Sequence, residues 1–130
     1  MSKYSAFGTA LKLGLQQIEK ATVALDGATI ATSGNAEVTV TASGLSGSPL
    51  AVSVAVLDTD DVNEVALKIR NALNEESDIT DMFFVEGNGD EVTLRKKLAG
   101  ANDATLNIAV EDDTSAGITD DTTSDAIQKL

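Results

Sequence analysis

Between Asp58 and Glu76 the apolar positions recur with the period of a helix, and over most of the remaining chain they alternate. Val62, Val65, Ala66, Ile69, Ala72 and Leu73 fall at i, i+3, i+4, i+7, i+10 and i+11, a single stripe along a helix. The pattern predicts a helix over 60–75. Thr59 or Asp61 is placed to cap its start, and Asp60, Asp61 and Glu64 suit the positive end of its dipole. Leu67 falls on the polar side, about 140° round from Val62 at about 100° per residue, beside Arg70 and Asn71.

Residues 37–41 and 50–57 alternate. Val52, Val54 and Val56 face one way and Ala51, Ser53 and Ala55 the other, and the Gly- and Ser-rich stretch 43–49 joins the two runs. This predicts an antiparallel hairpin. A second hairpin is predicted over 82–86 and 91–95, turned at Gly87-Asn88-Gly89-Asp90, with a last strand over 105–110. Upstream, Leu11, Leu13 and Leu15 alternate with Lys12 and Gly14 and predict a strand, with a helix over 9–20 as the alternative, which meets Gly14 in its middle; 21–25 predicts a further strand, and 28–35 a loop. The central order β-β-α-β-β-β argues an α+β fold: mainly antiparallel β-sandwich or sheet, with one amphipathic helix packed on it. Ile69 and Leu73 are then expected against a sheet made of 50–57 and 82–95. One domain is expected, with an N-terminal arm and strand segment (1–34), a β-rich core (35–111) and an acidic C-terminal tail (112–130).

Composition narrows the chemistry. The chain of 130 residues has no Cys and no His, so it offers no disulfide or thiolate and lacks the commonest general base and zinc ligand. Its net charge of −12 repels phosphate backbones and argues against nucleic-acid binding by charge attraction. Arg95-Lys96-Lys97 is its basic cluster. No run approaches the roughly 20 apolar residues of a membrane-spanning helix, and no leader pattern opens the chain, so a soluble protein made in the cytoplasm is expected, with no membrane partner. Asp58, Asp60 and Asp61 could be read as calcium ligands, but the Gly and the downstream Glu of an EF-hand are missing. Helix capping is the better account. Gly87 to Asp90 is followed by neither a helix nor a Gly-Lys-Ser/Thr, which makes it a turn and not a phosphate cradle. With few aromatics to hold a sugar, paired-carboxylate chemistry has little support. The expectation is a non-enzyme with no catalytic residue, no cofactor and no metal.

An ordered set of segments carries a resemblance. It runs from Asn35-Ala36-Glu37-Val38-Thr39-Val40-Thr41-Ala42 through Gly47-Ser48-Pro49, the Val-rich strand and Val65-Ala66-Leu67-Lys68-Ile69-Arg70-Asn71-Ala72-Leu73. It continues with Val92-Thr93-Leu94 and Ala101-Asn102-Asp103-Ala104-Thr105-Leu106-Asn107-Ile108, and closes on Thr114-Ser115-Ala116-Gly117-Ile118-Thr119. The set resembles a β-rich module of structural proteins of tailed bacteriophages. The opening Tyr4-Ser5-Ala6-Phe7-Gly8-Thr9-Ala10-Leu11-Lys12-Leu13 is similar to the start of many major tail (tail tube) proteins. Tail tube proteins commonly run longer, with extended loops that interlock successive rings.

The resemblance implies a self-assembling virion component on tail or head, most simply the tail tube subunit stacking in rings. A capsid decoration protein is the alternative, and a secreted Ig-like binding module the more distant one. The implied partners are further copies of the chain and other virion proteins. A DNA-passing lumen is compatible with the acidity, without specific nucleic-acid binding. The candidate subunit-interface residues are Tyr4, Phe7, Leu67, Arg95, Lys96, Lys97, Ile118, Ile127 and Leu130. Leu67 is an apolar side chain on a polar helix face, the three bases could meet acids of a neighbouring copy, and the rest are spaced apolar anchors in the two ends.

Overall fold

Asp61 starts the first helix. Its carboxylate accepts the Glu64 N–H at 2.9 Å, and the Glu64 carboxylate accepts the Asp61 N–H at 3.3 Å. Two otherwise orphaned donors are satisfied reciprocally in this capping box, and the cap is therefore Asp61 and not Thr59. The structure, a computed structural model, describes residues 16–119 and 127–129. The helix, α1, spans Val62–Asn74, and a short α2, Ser77–Met82, follows it. The strands are β1 (Gln16–Thr22), β2 (Gly34–Thr41), β3 (Leu50–Val56), β4 (Phe83–Glu86), β5 (Glu91–Lys96), β6 (Asn107–Asp112) and β7 (Ile127–Lys129).

Among the described residues these strands form two antiparallel sheets, β4-β5-β1-β7 and β3-β2-β6. The layers meet through β1 and β6 in a sandwich-like α+β fold. Both predicted hairpins are present. Gly87 turns the second one at φ 128°, where a Cβ would fall 2.2 Å from the Glu91 carbonyl oxygen, so no side chain fits there. Val38, Val40, Val54, Val56, Ile108 and Val110 supply one inner face, and Val92, Leu94 and Phe83 the other.

The helix stripe is the seam between them. Val65, Ala66, Ile69 and Leu73 are buried, and Val62 and Ala72 flank them partly covered. The strands under the stripe are not one sheet as the sequence suggested. Helix α1 packs on β3 of one layer and on β4 and β5 of the other. Strand β3 pairs with β2, and β5 pairs with β1, so the helix closes one side of the sandwich. Ile79 of α2 is also fully buried.

The first strand differs from its expected position. Residues 11–15 lie outside the described residues, and a single strand, β1, replaces the short one expected over 21–25. Its inward residues are Gln17, Glu19 and Ala21, while Ile18 faces outward half-buried. Polar side chains thus occupy inner positions, which inverts the usual alternation. Gln17 is held there because its amide brackets the Asp103 backbone, donating to the carbonyl at 2.6 Å and accepting the N–H at 2.7 Å. The Glu19 carboxylate accepts the Lys20 N–H at 2.9 Å.

The acidic stretch after Val110 begins as part of this fold. The Asp112 carboxylate accepts the Ser115 hydroxyl at 2.8 Å and the Gly117 and Ile118 N–H groups at 3.1 Å each. Ala116 and Ile118 form bridges to Thr32 and Leu25. Ile118 is 4 % exposed, in this chain's own core.

Candidate subunit interface

Strand β3 has β2 on one side, and among the described residues no strand on the other. No charged residue lies between Glu37 and Asp58, so the outward positions Ala51, Ser53 and Ala55 are small and uncharged. Most proteins blunt such an edge with charge, Pro or a bulge. Beside β3 runs a shallow groove of about 510 Å³, bounded on one side by Ser53 and Ala55 of the strand and by Leu57 just after it, and on the other by Lys68, Asn71 and Ala72 of α1 and its C-cap Glu75. Leu57 is 54 % exposed, and Leu67, one helical turn before Asn71, is 49 % exposed. An edge strand facing a helix across a groove is the geometry in which an extended segment adds to a sheet: main-chain bonds supply affinity and the helix supplies side-chain contacts.

The groove's far wall is fixed from below. Asp60 is 2 % exposed; its carboxylate accepts the Leu57 N–H at 2.9 Å and a short ion-paired hydrogen bond from Lys68. Burial pushes the Asp60 carboxyl up, but the Lys68 hydrogen bond, the Leu57 N–H and the Lys68 charge outweigh it and hold it below the usual range. The Asp60 carbonyl also accepts the Ile30 N–H at 2.9 Å. Asp60 thus ties the end of β3 to α1. Asp61 is the helix cap. The acids weighed as calcium ligands spend their oxygens on these bonds, apart from Asp58, which is exposed.

The basic cluster divides. Arg95 lies on the outer face of β5, where its guanidinium donates through Nε and Nη2 to the two Glu86 oxygens at 3.0 and 2.8 Å and through Nη1 to Gln16 at 2.9 Å. This fork is a bidentate pair, and the Glu86 hydrogen bond raises Arg95 and lowers Glu86 from their usual values. The guanidinium also stacks 4.5 Å over the Phe84 ring, and Lys97 sits 5.2 Å from the same ring. Arg95 therefore meets an acid, Glu86, within its own chain. Lys96 is partly buried, and its charge helps to hold Asp103 low; burial there is outweighed by bonds from Thr105 and Ser43.

Of the other candidate residues, Leu67 is exposed beside the groove. Ile118 is in the core and has no surface to offer a neighbour. Ile127 belongs to β7, opposite Ile18 on β1. Tyr4, Phe7 and Leu130 lie outside the described residues. Sequence reasoning passed over Leu57, Ser53 and Ala55, although the uncharged run from residue 38 to residue 57 was the visible signal. It also passed over Phe84 and Leu98, 42 % and 83 % exposed. Among the described residues no helix is long and apolar enough to cross a membrane, and no group of three or more acids is gathered as for a metal ion. Comparison with protein families and with curated proteins finds no match.

Proposed function

We propose that this protein is a non-enzymatic, self-assembling structural component of a tailed-bacteriophage virion, the tail tube subunit by preference. The observation that carries the reading is the uncharged β3 edge beside the α1 groove, with Leu57 and Leu67 exposed next to it. Among the described residues, strand β6 is the opposite edge of the same sheet. Addition of one copy's β6 to the next copy's β3 is head-to-tail, and head-to-tail contacts generate rings or filaments. A surface with net charge −12 suits a lumen that passes DNA without retaining it. The resemblance of residues 35–118 to phage structural modules supports the same reading.

A capsid decoration protein is the second reading. It is favoured by the same β3 edge, which can equally pair in a small symmetric oligomer. Negative-stain microscopy and sedimentation of the purified full-length protein decide. Rings or tubes support the tail assignment, small discrete oligomers select decoration, and a monomer at all concentrations overturns both.

A further inference from the structure

Of the seven asparagines in the chain, Asn88 alone precedes a glycine. It stands in the turn between β4 and β5, where Asn88 and Gly89 are both exposed. Among the described residues, neither the Asn88 carboxamide nor the Gly89 N–H is engaged in a hydrogen bond. We propose that this turn is a site of self-modification, at which the Gly89 backbone nitrogen attacks the Asn88 carboxamide and converts Asn88 to aspartate and isoaspartate. The Gly89 nitrogen loses its proton to solvent and bonds to Asn88 Cγ. The Cγ–Nδ2 bond breaks, ammonia leaves with a proton from water, and a cyclic imide joins the two residues. Water then opens the imide. Cleavage at Cγ leaves aspartate in an ordinary backbone, and cleavage at the main-chain carbonyl leaves isoaspartate, with the backbone running through the side chain. One water is taken up and one ammonia released, with no oxidant or reductant.

The geometry of the turn carries the proposal. Gly89 has no side chain to obstruct the ring, and the space beside its Cα is open, since a Cβ there would meet only Asn63 Oδ1, at 3.6 Å. The Asn88 carbonyl accepts the Glu91 N–H at 3.2 Å. That bond draws electrons from the 88–89 peptide and makes its N–H easier to ionise. The attacking nitrogen is also held in place. Arg70 of α1 donates to the Gly89 and Glu91 carbonyls at 3.2 and 2.6 Å, and the Val23 N–H donates to the Asp90 carbonyl at 2.8 Å. Other asparagines lack a nucleophile of this kind. The N–H groups after Asn63 and Asn74 are bonded to Asp61 and Ala72, and the one after Asn102 donates to Gln17 at 2.7 Å. The same clamp makes the product consequential. Isoaspartate adds a carbon to the main chain between Asn88 and the pinned residues 89–91, which displaces the Asn88 carbonyl from Glu91 and adds a negative charge to the turn. The inference stands whether or not the protein assembles.

The test is to hold the full-length protein at neutral and at mildly alkaline pH, digest samples at intervals and follow the peptides by mass spectrometry. The peptide containing Asn88 is expected to gain the mass of amide-to-acid conversion several-fold faster than any other asparagine peptide, and to separate into two products of equal mass. The gain is expected to be faster at the higher pH, because the attacking nitrogen must first lose its proton. No gain at Asn88, or gains spread evenly over the asparagines, overturns the proposal. Amide hydrogen exchange reads the consequence. The Glu91 N–H is expected to exchange several-fold faster in aged protein than in fresh, while Asn88→Gln, whose longer side chain closes the ring poorly, keeps the fresh rate when aged alongside. Equal changes in the two proteins, or none in either, would mean that Asn88 chemistry does not loosen the turn.

Discussion

Asp60 shows how one residue can join three parts of a fold, its carboxylate holding Leu57 and Lys68 and its backbone carbonyl holding Ile30. It is buried, yet charged, because Lys68 and the Leu57 N–H together outweigh desolvation. Its folded pKa lies below the ordinary carboxylate value, so the unfolded chain takes up a proton first as pH falls. The stabilisation is fully present above about pH 4 and is lost as pH drops through the lowered value. Asp103 shifts in the same direction for the same kind of reason. Asp60→Asn keeps the shape and removes the charge. It is expected to destabilise by about 1–3 kcal/mol at neutral pH and by clearly less near pH 3, as read by denaturant melts at the two pH values. An equal loss at both would mean that the Lys68 pair is not the source. At the seam, Ile69 is fully buried between two sheets. Ile69→Ala is expected to cost about 2–5 kcal/mol, and an unchanged melt would contradict the placement of α1.

The informative elements are those whose pattern misleads. Strand β1 carries Gln17 and Glu19 inward, so its hydrophobic alternation is absent where its pairing is firm. The stretch 112–119 reads as a solvated acidic tail. Its Asp112 instead caps a turn that seats Ile118 in the core, and the Thr119 N–H bonds the Ala24 carbonyl at 2.9 Å. Deleting 112–130 is therefore expected to lower the melting temperature sharply and not merely to weaken assembly, which a thermal melt of the truncated chain would show. Strand β3 is the converse case, regular in pattern and unprotected at its edge. Ala55→Lys puts a charge into the groove without touching the core. It is expected to leave the melting temperature within about 0.5 kcal/mol of wild type in equivalent stability and to abolish association in sedimentation. Leu67→Asp should act likewise and more weakly. Normal association of Ala55→Lys would remove β3 from the interface.

For the whole molecule, charge and groove make opposite demands on assembly. The groove is framed by Val54, Ala55, Leu57 and Ala72 together with Ser53, Asn71 and the acid Glu75, and Lys68 beside it is already paired with Asp60. Each copy carries −12, so approach is opposed by like charge that salt screens over a Debye length of about 8–10 Å. Raising salt from low to physiological strength is thus expected to promote association, followed by light scattering. Dissociation with salt would mean that ion pairs between copies, and not the β3 groove, hold the assembly.

Local period determined much of this protein without reference to tertiary structure. The α1 stripe, its acidic cap and both hairpins were legible because each depends on neighbours a few residues away. Arg95 and Glu86 could have been paired from the second hairpin alone, since a two-residue diagonal across its register brings them to one face. The same pattern could not say that 50–57 and 82–95 lie in different sheets, because alternation specifies a buried face and not the layer that buries it. It could not say that Gln17 faces inward, because its partner, the Asp103 backbone, is 86 residues away. Nor could it place Ile118, whose burial depends on a turn closed by Asp112 and a bridge to Leu25. Those contacts join distant parts of the chain, and only the packing of the two layers, with α1 closing their side, brings them together.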